Sequence, residues 1–122
     1  MNNRRRGHNW ERKCLQYLSG IFKDIKTSRY ASKMKDDQKV DLCFTDPFNF
    51  QCKLSNKKLD YAEILSEMPE DENINVILNK LRYKAGENFV SKGEFAILRV
   101  EDLIKLIEGY VGDGTSSSND KS

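Results

Sequence analysis

Apolar residues recur at helical spacing early in the chain. Trp10, Cys14, Leu15, Leu18, Ile21 and Phe22 stand three, four or seven apart and predict a helix from about Asn9 to Lys23 with one buried face. Gly20 weakens its end, and Ile25-Lys-Thr-Ser28 reads as a short strand after a turn. Ser28 to Lys39 has no apolar period and carries Arg29, Lys33, Lys35 and Lys39, so it reads as a mobile basic loop. From Val40 to Leu54 the period changes to two. Val40, Leu42 and Phe44, then Phe48, Phe50, Cys52 and Leu54, occupy even positions; Asp41, Cys43 and Thr45, then Asn49, Gln51 and Lys53, occupy odd ones. This alternation predicts a hairpin turning at Asp46-Pro47, with one face in the core and Asp41, Gln51 and Lys53 together on the other.

Asn56 to Met68 predicts a second helix, capped by Ser55 or Asn56 and facing inward through Leu59, Ala62, Leu65 and Met68; Pro69 stops it. Asn73 to Leu81 reads as a central strand, Tyr83 to Gly93 as a loop or turn, and Phe95 to Val100 as a strand. Glu101 to Tyr110 closes the fold as a helix whose apolar side is Leu103, Ile104, Leu106 and Ile107. From Gly112 nothing is available to bury, so 1–111 is expected to be one domain and 112–122 a disordered tail. The order helix, three strands, helix, two strands, helix predicts an α/β sandwich, a mixed sheet flanked by helices.

A length of 122 residues suits one core, and 38% apolar with 33% charged residues suits a globular domain. The net charge of +2 hides an asymmetry: residues 1–60 carry 14 Lys and Arg against 7 Asp and Glu, and residues 61–122 carry 7 against 12. The first half is therefore suited to a polyanionic partner, or simply to one end of a dipolar surface. No segment approaches the roughly 18 to 20 apolar residues of a membrane span, and the Arg-rich start lacks the apolar run of a signal peptide, so a cytoplasmic protein (host cytoplasm if viral) is expected. Cys14, Cys43 and Cys52 lack close metal-site spacing and read as free thiols; a zinc site is not expected.

Asp41 lies between Val40 and Leu42 in a strand that reads as buried, a position where Asp costs stability unless it has a partner or a task. A cross-strand ion pair with Lys53 is one explanation. The other is chemical: Asp41, Gln51 and Lys53 offer oxygen ligands and a cation on one face, the parts needed to hold a divalent metal and neutralise a phosphodiester. Glu11 falls in the first turn of the expected first helix, where it either favours the helix N-terminus electrostatically or joins this group.

The ordered set Arg5-Arg-Gly-His-Asn-Trp-Glu11, Ala31-Ser32, Lys39-Val-Asp41-Leu42 and Phe50-Gln-Cys-Lys53 resembles the PD-(D/E)xK nuclease superfamily and, within it, archaeal and phage Holliday-junction resolvases. The resemblance spans residues 4–110 and is densest in the first 54. It implies a restriction-endonuclease-like fold and a homodimer cutting branched or duplex DNA with Mg²⁺, or Mn²⁺ in its place. It also implies Glu11 and Asp41 as metal ligands, Lys53 orienting or activating the attacking water, and Ser32 as the serine those resolvases carry before the motif aspartate. Where most members have Glu or Asp this chain has Gln51, whose carbonyl can ligate a metal but adds no charge; Asp60 or Glu63 is a candidate compensating carboxylate. Arg4, Arg5 and Arg6 before Glu11, Arg29, Lys33 and Lys35 before Asp41, and Lys57 and Lys58 after the catalytic strand are the expected DNA contacts, with Lys80, Arg82 and Lys84 further out. Two other readings remain open: a nuclease of the same fold acting on another DNA form, and a DNA-binding subunit that has lost catalysis.

Overall fold

Helix α1 (Asn3–Leu18) is anchored by the stripe expected of it. In the computed structural model, which describes residues 3–118, Trp10 and Cys14 are buried against Ile25, Leu42, Phe50, Ile74 and Val76. The indole Nε1 of Trp10 donates to the Leu78 carbonyl at 3.0 Å, which satisfies its only polar group. The helix starts six residues earlier than Asn9, because Arg4, Arg5 and Arg6 continue it without contributing to the apolar stripe, and it ends at Leu18, ahead of Ser19-Gly20.

Five strands form one mixed sheet in the order β1 (Lys26–Thr27), β2 (Leu42–Cys43), β3 (Phe48–Ser55), β4 (Ile74–Ala85) and β5 (Asn88–Ile97). Pairing is antiparallel except between β3 and β4, which run parallel in a continuous register from Phe48↔Ile74 to Ser55↔Leu81. The connection between them contains helix α4 (Tyr61–Glu67), whose Leu65 packs with Met68 and Ile77 on the opposite face of the sheet from α1. The α1 side holds seven buried apolar residues and the α4 side three. At roughly 1.5–3 kcal/mol for each large apolar side chain fully buried, the α1 layer is the main anchor.

Several expectations need correction. The basic segment after Ser28 is two short helices, α2 (Ser28–Ala31) and α3 (Lys33–Asp37), rather than a loop. Their single turns are too short to display a hydrophobic period. The Val40–Leu54 alternation holds only in part: Val40 and Leu42 are buried as expected, but so are Cys43 and Thr45, while Phe44 turns outward at φ 64 and ends β2 after two residues. The odd face of β3 is also covered rather than wet. Asn49 is fully buried and donates to Asn75 Oδ1 at 2.8 Å, and Asn79 donates to the Lys53 carbonyl at 3.0 Å and to Ser55 Oγ at 3.1 Å. These side-chain amides give a polar surface the partners it needs to be buried.

Helix α4 begins at Tyr61, with Asp60 rather than Ser55 or Asn56 as its cap; Asp60 Oδ1 accepts from the Glu63 amide at 3.2 Å. Tyr83 to Gly93 is no loop but the end of a long hairpin, in which Gly86 at φ 66 makes the turn. Helix α5 runs from Val100 to Ser118, past the expected end at Tyr110; once a helix is nucleated each further residue adds a bond at small cost. The rest of the expected tail, 119–122, lies outside the described residues. Of the apolar residues on α5 only Leu106 packs against the core, whereas Leu103, Ile104 and Ile107 are exposed. Among the described residues no helix is long and apolar enough to cross a membrane.

Gly93 carries a φ of 137, and a Cβ there would stand 2.7 Å from the Phe95 ring. Phe95 is half exposed and can swing aside, so the backbone sets the cost. Gly93→Ala is expected to destabilise by about 1–3 kcal/mol, lowering Tm by several degrees in a thermal melt.

Candidate active site

Three segments converge at the margin where the short β2 leaves β3 uncovered. Asp41 immediately precedes β2. Its amide donates to the Phe50 carbonyl at 2.8 Å, and its carboxylate Oδ2 accepts from the Cys52 amide at 2.7 Å. The side chain thus takes the acceptor position that the next residue of a longer strand would supply. Since Leu42 pairs with Phe50, the same register brings Asp41 opposite Gln51. Gln51 and Lys53 follow on one face of β3, two residues apart.

Glu11 comes from α1. It lies in the third turn of that helix, not the first, so an interaction with the helix N-terminus does not explain it. It is tied to Asp41 by a short path: the Ser28 amide donates to the Asp41 carbonyl at 2.7 Å, and the next residue, Arg29, donates from Nη2 to Glu11 Oε1 at 3.0 Å.

The electrostatics of the group follow from this placement. Burial, then the negative charge of Glu11, push the Asp41 carboxyl up to about 6 against the opposing Cys52 amide and Lys53 ammonium. Burial also raises Glu11, with Arg29 working the other way. Asp36 of α3 adds a third negative charge that raises both. Lys53 attracts Asp41 without forming a salt bridge to it, so the cross-strand ion pair does not account for Asp41. Gln51 is only 6% exposed, and its carbonyl Oε1 is buried with no hydrogen-bond partner among the described residues. A buried acceptor left unpaired costs about 1–3 kcal/mol and calls for a ligand or a functional reason.

Among the described residues no three His, Cys, Asp or Glu side chains form a group able to hold a metal. The donor set at this margin is instead two carboxylates and one amide carbonyl. All three are hard oxygen donors of the kind that suit Mg²⁺, and the orphaned Gln51 oxygen is the one without another task. Glu11 would have to release Arg29 to join them.

The remaining candidates are placed as follows. Ser32 caps α3, its Oγ accepting from the Lys35 amide at 3.3 Å. Asp60 is the cap of α4, and Glu63 is exposed in its first turn; neither supplies the negative charge felt by Asp41, which comes from Glu11 and then Asp36. Arg29 is an internal partner of Glu11 rather than a free phosphate contact. Lys33 lies 3.5 Å from Asp37 on α3, Lys35 is half-buried, and Lys57 and Lys58 are exposed between β3 and α4. Arg4 and Arg5 are exposed on the first turn of α1, and Arg6 stacks 5.4 Å from the Phe89 ring centroid. Sequence reasoning misses Asp36 and the partnership of Arg29 with Glu11, for both lie in the segment that reads as a loop. Comparison of the chain with family models, with curated proteins and with solved structures returns no match.

Proposed function

We propose that this protein is a metal-dependent endodeoxyribonuclease of restriction-endonuclease-like architecture, of the PD-(D/E)xK type, that cuts four-way junctions as a homodimer. The observation that carries the reading is the convergence of Glu11, Asp41 and Lys53 from α1, the approach to β2 and strand β3, with Gln51 set opposite Asp41 by the strand register and its buried carbonyl unpartnered among the described residues. Two carboxylates whose proton affinity is raised by burial and by nearby negative charge, beside a buried acceptor with no partner among the described residues, describe a site whose balance is restored by a cation.

Glu11, Asp41 and Gln51 would hold the ion, Mg²⁺ or Mn²⁺. When bound, such an ion neutralises phosphate charge and makes water a competent nucleophile near neutral pH. The protein's own groups do the rest. The Cys52 amide fixes the Asp41 carboxylate through Oδ2. Lys53, without a salt bridge of its own among the described residues, is available to donate to a phosphate oxygen or to orient the attacking water, and its charge opposes the build-up of negative charge in the transition state. Paired incisions across a junction need two such centres, and one chain carries one. The half-exposed Leu103, Ile104 and Ile107 of α5 offer an apolar face to a second copy.

The Arg29–Glu11 ion pair, together with Gln51 in place of a carboxylate, favours a second reading: a DNA-binding subunit of the same fold without catalysis. A labelled four-way junction and a matched linear duplex, incubated with protein and Mg²⁺, distinguish these. Symmetric nicks on the junction alone are the expected result. Equal cutting of both substrates makes the protein a general nuclease. Tight junction binding without any cutting makes it a binding subunit.

A further inference from the structure

Beyond Lys53, on the α1 face of the sheet, four cations surround one cleft. A cavity of about 230 Å³ between α1 and β4 is lined by Arg6, Asn9, Lys13, Lys80 and Arg82 over a floor of Trp10 and Leu54. A second cavity of about 260 Å³ shares Leu54 and Arg82 with it and extends to Lys53 and Gly7. Arg82 therefore stands between the proposed reaction centre and the basic cleft.

Charge in the cleft is only partly balanced. Glu94 accepts from Lys13 at 3.0 Å and from the Tyr17 hydroxyl at 2.6 Å, with Lys80 3.9 Å away. That carboxylate serves the two lysines. Among the described residues neither Arg6 nor Arg82 has a salt bridge. Both guanidinium groups instead approach one ring, Phe89, at 5.4 Å and 4.3 Å, and each is thereby held in place beside a like charge. Arg82 donates from Nη2 to Asn56 Oδ1 at 2.9 Å, while its Nε is buried with no hydrogen-bond partner among the described residues. Burial and then the charge of Arg6 lower the proton affinity of Arg82, the mark of a cation lacking an anion. Two fixed guanidinium groups with unspent donors at a cleft of this size match the oxygen fork of a phosphate.

We propose that this cleft binds a phosphate group through Arg6 and Arg82, and that the group is a backbone phosphate of the nucleic acid next to the scissile one. The identity of the donor rests on the nuclease reading above; the anion site itself does not. The cleft would fix the direction in which the strand leaves Lys53, over α1 and β4, and would act on any DNA form alike, because phosphate contacts carry no base information.

The test measures binding, not cleavage. Fluorescence anisotropy of a labelled junction and a labelled duplex is recorded in EDTA across a salt series, with wild type, Arg6→Ala, Arg82→Ala, Arg82→Lys and Lys92→Ala, the last an exposed cation on β5 outside the cleft. Arg82→Ala and Arg6→Ala are each expected to weaken both DNA forms by about 5- to 50-fold and to lower the salt slope by about one. Arg82→Lys, which keeps the charge and loses the fork, should retain most of the slope, which a merely misfolded variant would not. Lys92→Ala should change binding less than 2-fold, by the weak effect of an isolated surface charge. A parallel melt in inorganic phosphate against chloride at equal ionic strength separates the sources. Stabilisation of wild type by free phosphate, abolished in Arg82→Ala, with DNA binding unaffected, assigns the cleft to a small anion and overturns the strand assignment. Unchanged DNA binding and no phosphate effect overturn the site altogether. A protein that binds DNA through the cleft yet never cuts it keeps this site and discards the nuclease, and a nuclease indifferent to Arg82 does the reverse.

Discussion

Asp41→Asn is expected to make the protein more stable at pH 7.5 and to abolish its cleavage. The Asp41 carboxyl ionises at about 6 in the folded protein against an ordinary 3.8, so the fold binds this proton more tightly than the unfolded chain does. The stability gained from that proton is fully present below about pH 4 and is lost as pH rises through 6. A difference of about two pH units corresponds to a penalty of roughly 3 kcal/mol for carrying the ionised group at neutral pH. Asn removes that charge and keeps an oxygen for the Cys52 amide. Melts of wild type and variant in EDTA should therefore diverge from pH 4 to pH 7.5, the variant melting several degrees higher at the upper end. Catalysis should fall by about 10²-fold or more, since the group removed is one of two charged ligands in the proposed site. Equal melting curves across this range would show that Asp41 has a partner which already balances it.

The second large effect comes from placing a carboxylate at position 51. Gln51→Glu would bring a fourth anion, after Asp41, Glu11 and Asp36, into a position only 6% exposed opposite Asp41. Without metal, an unpaired buried charge costs more than an unpaired neutral group, so a loss of about 3 kcal/mol or more is expected. With Mg²⁺ or Mn²⁺ the sign should reverse: affinity rises with ligand charge, by about 10-fold or more in Kd, and Tm recovers as metal is added. Calorimetric titration with Mn²⁺ and melts with and without it read both halves of the prediction. A variant whose stability ignores the metal would mean that position 51 does not face a cation site.

Both predictions depend on residues whose grouping is legible in the sequence. The alternation from Val40 to Leu54 puts Asp41, Gln51 and Lys53 on one face, and that inference needs only the two-residue repeat of a strand. The same alternation does not disclose that Phe44 turns outward at φ 64, nor that the polar face of β3 is buried with Asn75 and Asn79 of the neighbouring strand bonded to it, because burial on both faces leaves no pattern of wet and dry positions. Glu11 is identified by its place in an ordered set of motifs, yet it lies two turns deeper in its helix than the apolar stripe indicates: the arginines that begin α1 contribute nothing apolar and hide its start.

Short elements and exposed ones account for most of what the sequence conceals. Helices α2 and α3 span four and five residues, less than the repeat needed to reveal an apolar side, and they carry Asp36 and Arg29 with them. The ends of β4 and β5 stand beyond the core with solvent on both sides, so Lys84, Glu87 and Asn88 resemble a loop although they belong to a hairpin or its turn. On α5 the apolar positions do form a stripe, but a stripe does not say what covers it; Leu103, Ile104 and Ile107 meet solvent. The basic cleft of Arg6 and Arg82 joins residues 76 positions apart in the chain, a proximity that only the packing of α1 on β4 creates.

The most direct test of the central claim is single-turnover cleavage of a labelled four-way junction by wild type, Asp41→Asn and Lys53→Ala, with Mg²⁺ and with EDTA. Cutting by wild type that requires Mg²⁺ and disappears in both folded variants is the expected result. No cutting by wild type, or cutting that survives in EDTA or in Asp41→Asn, would contradict it.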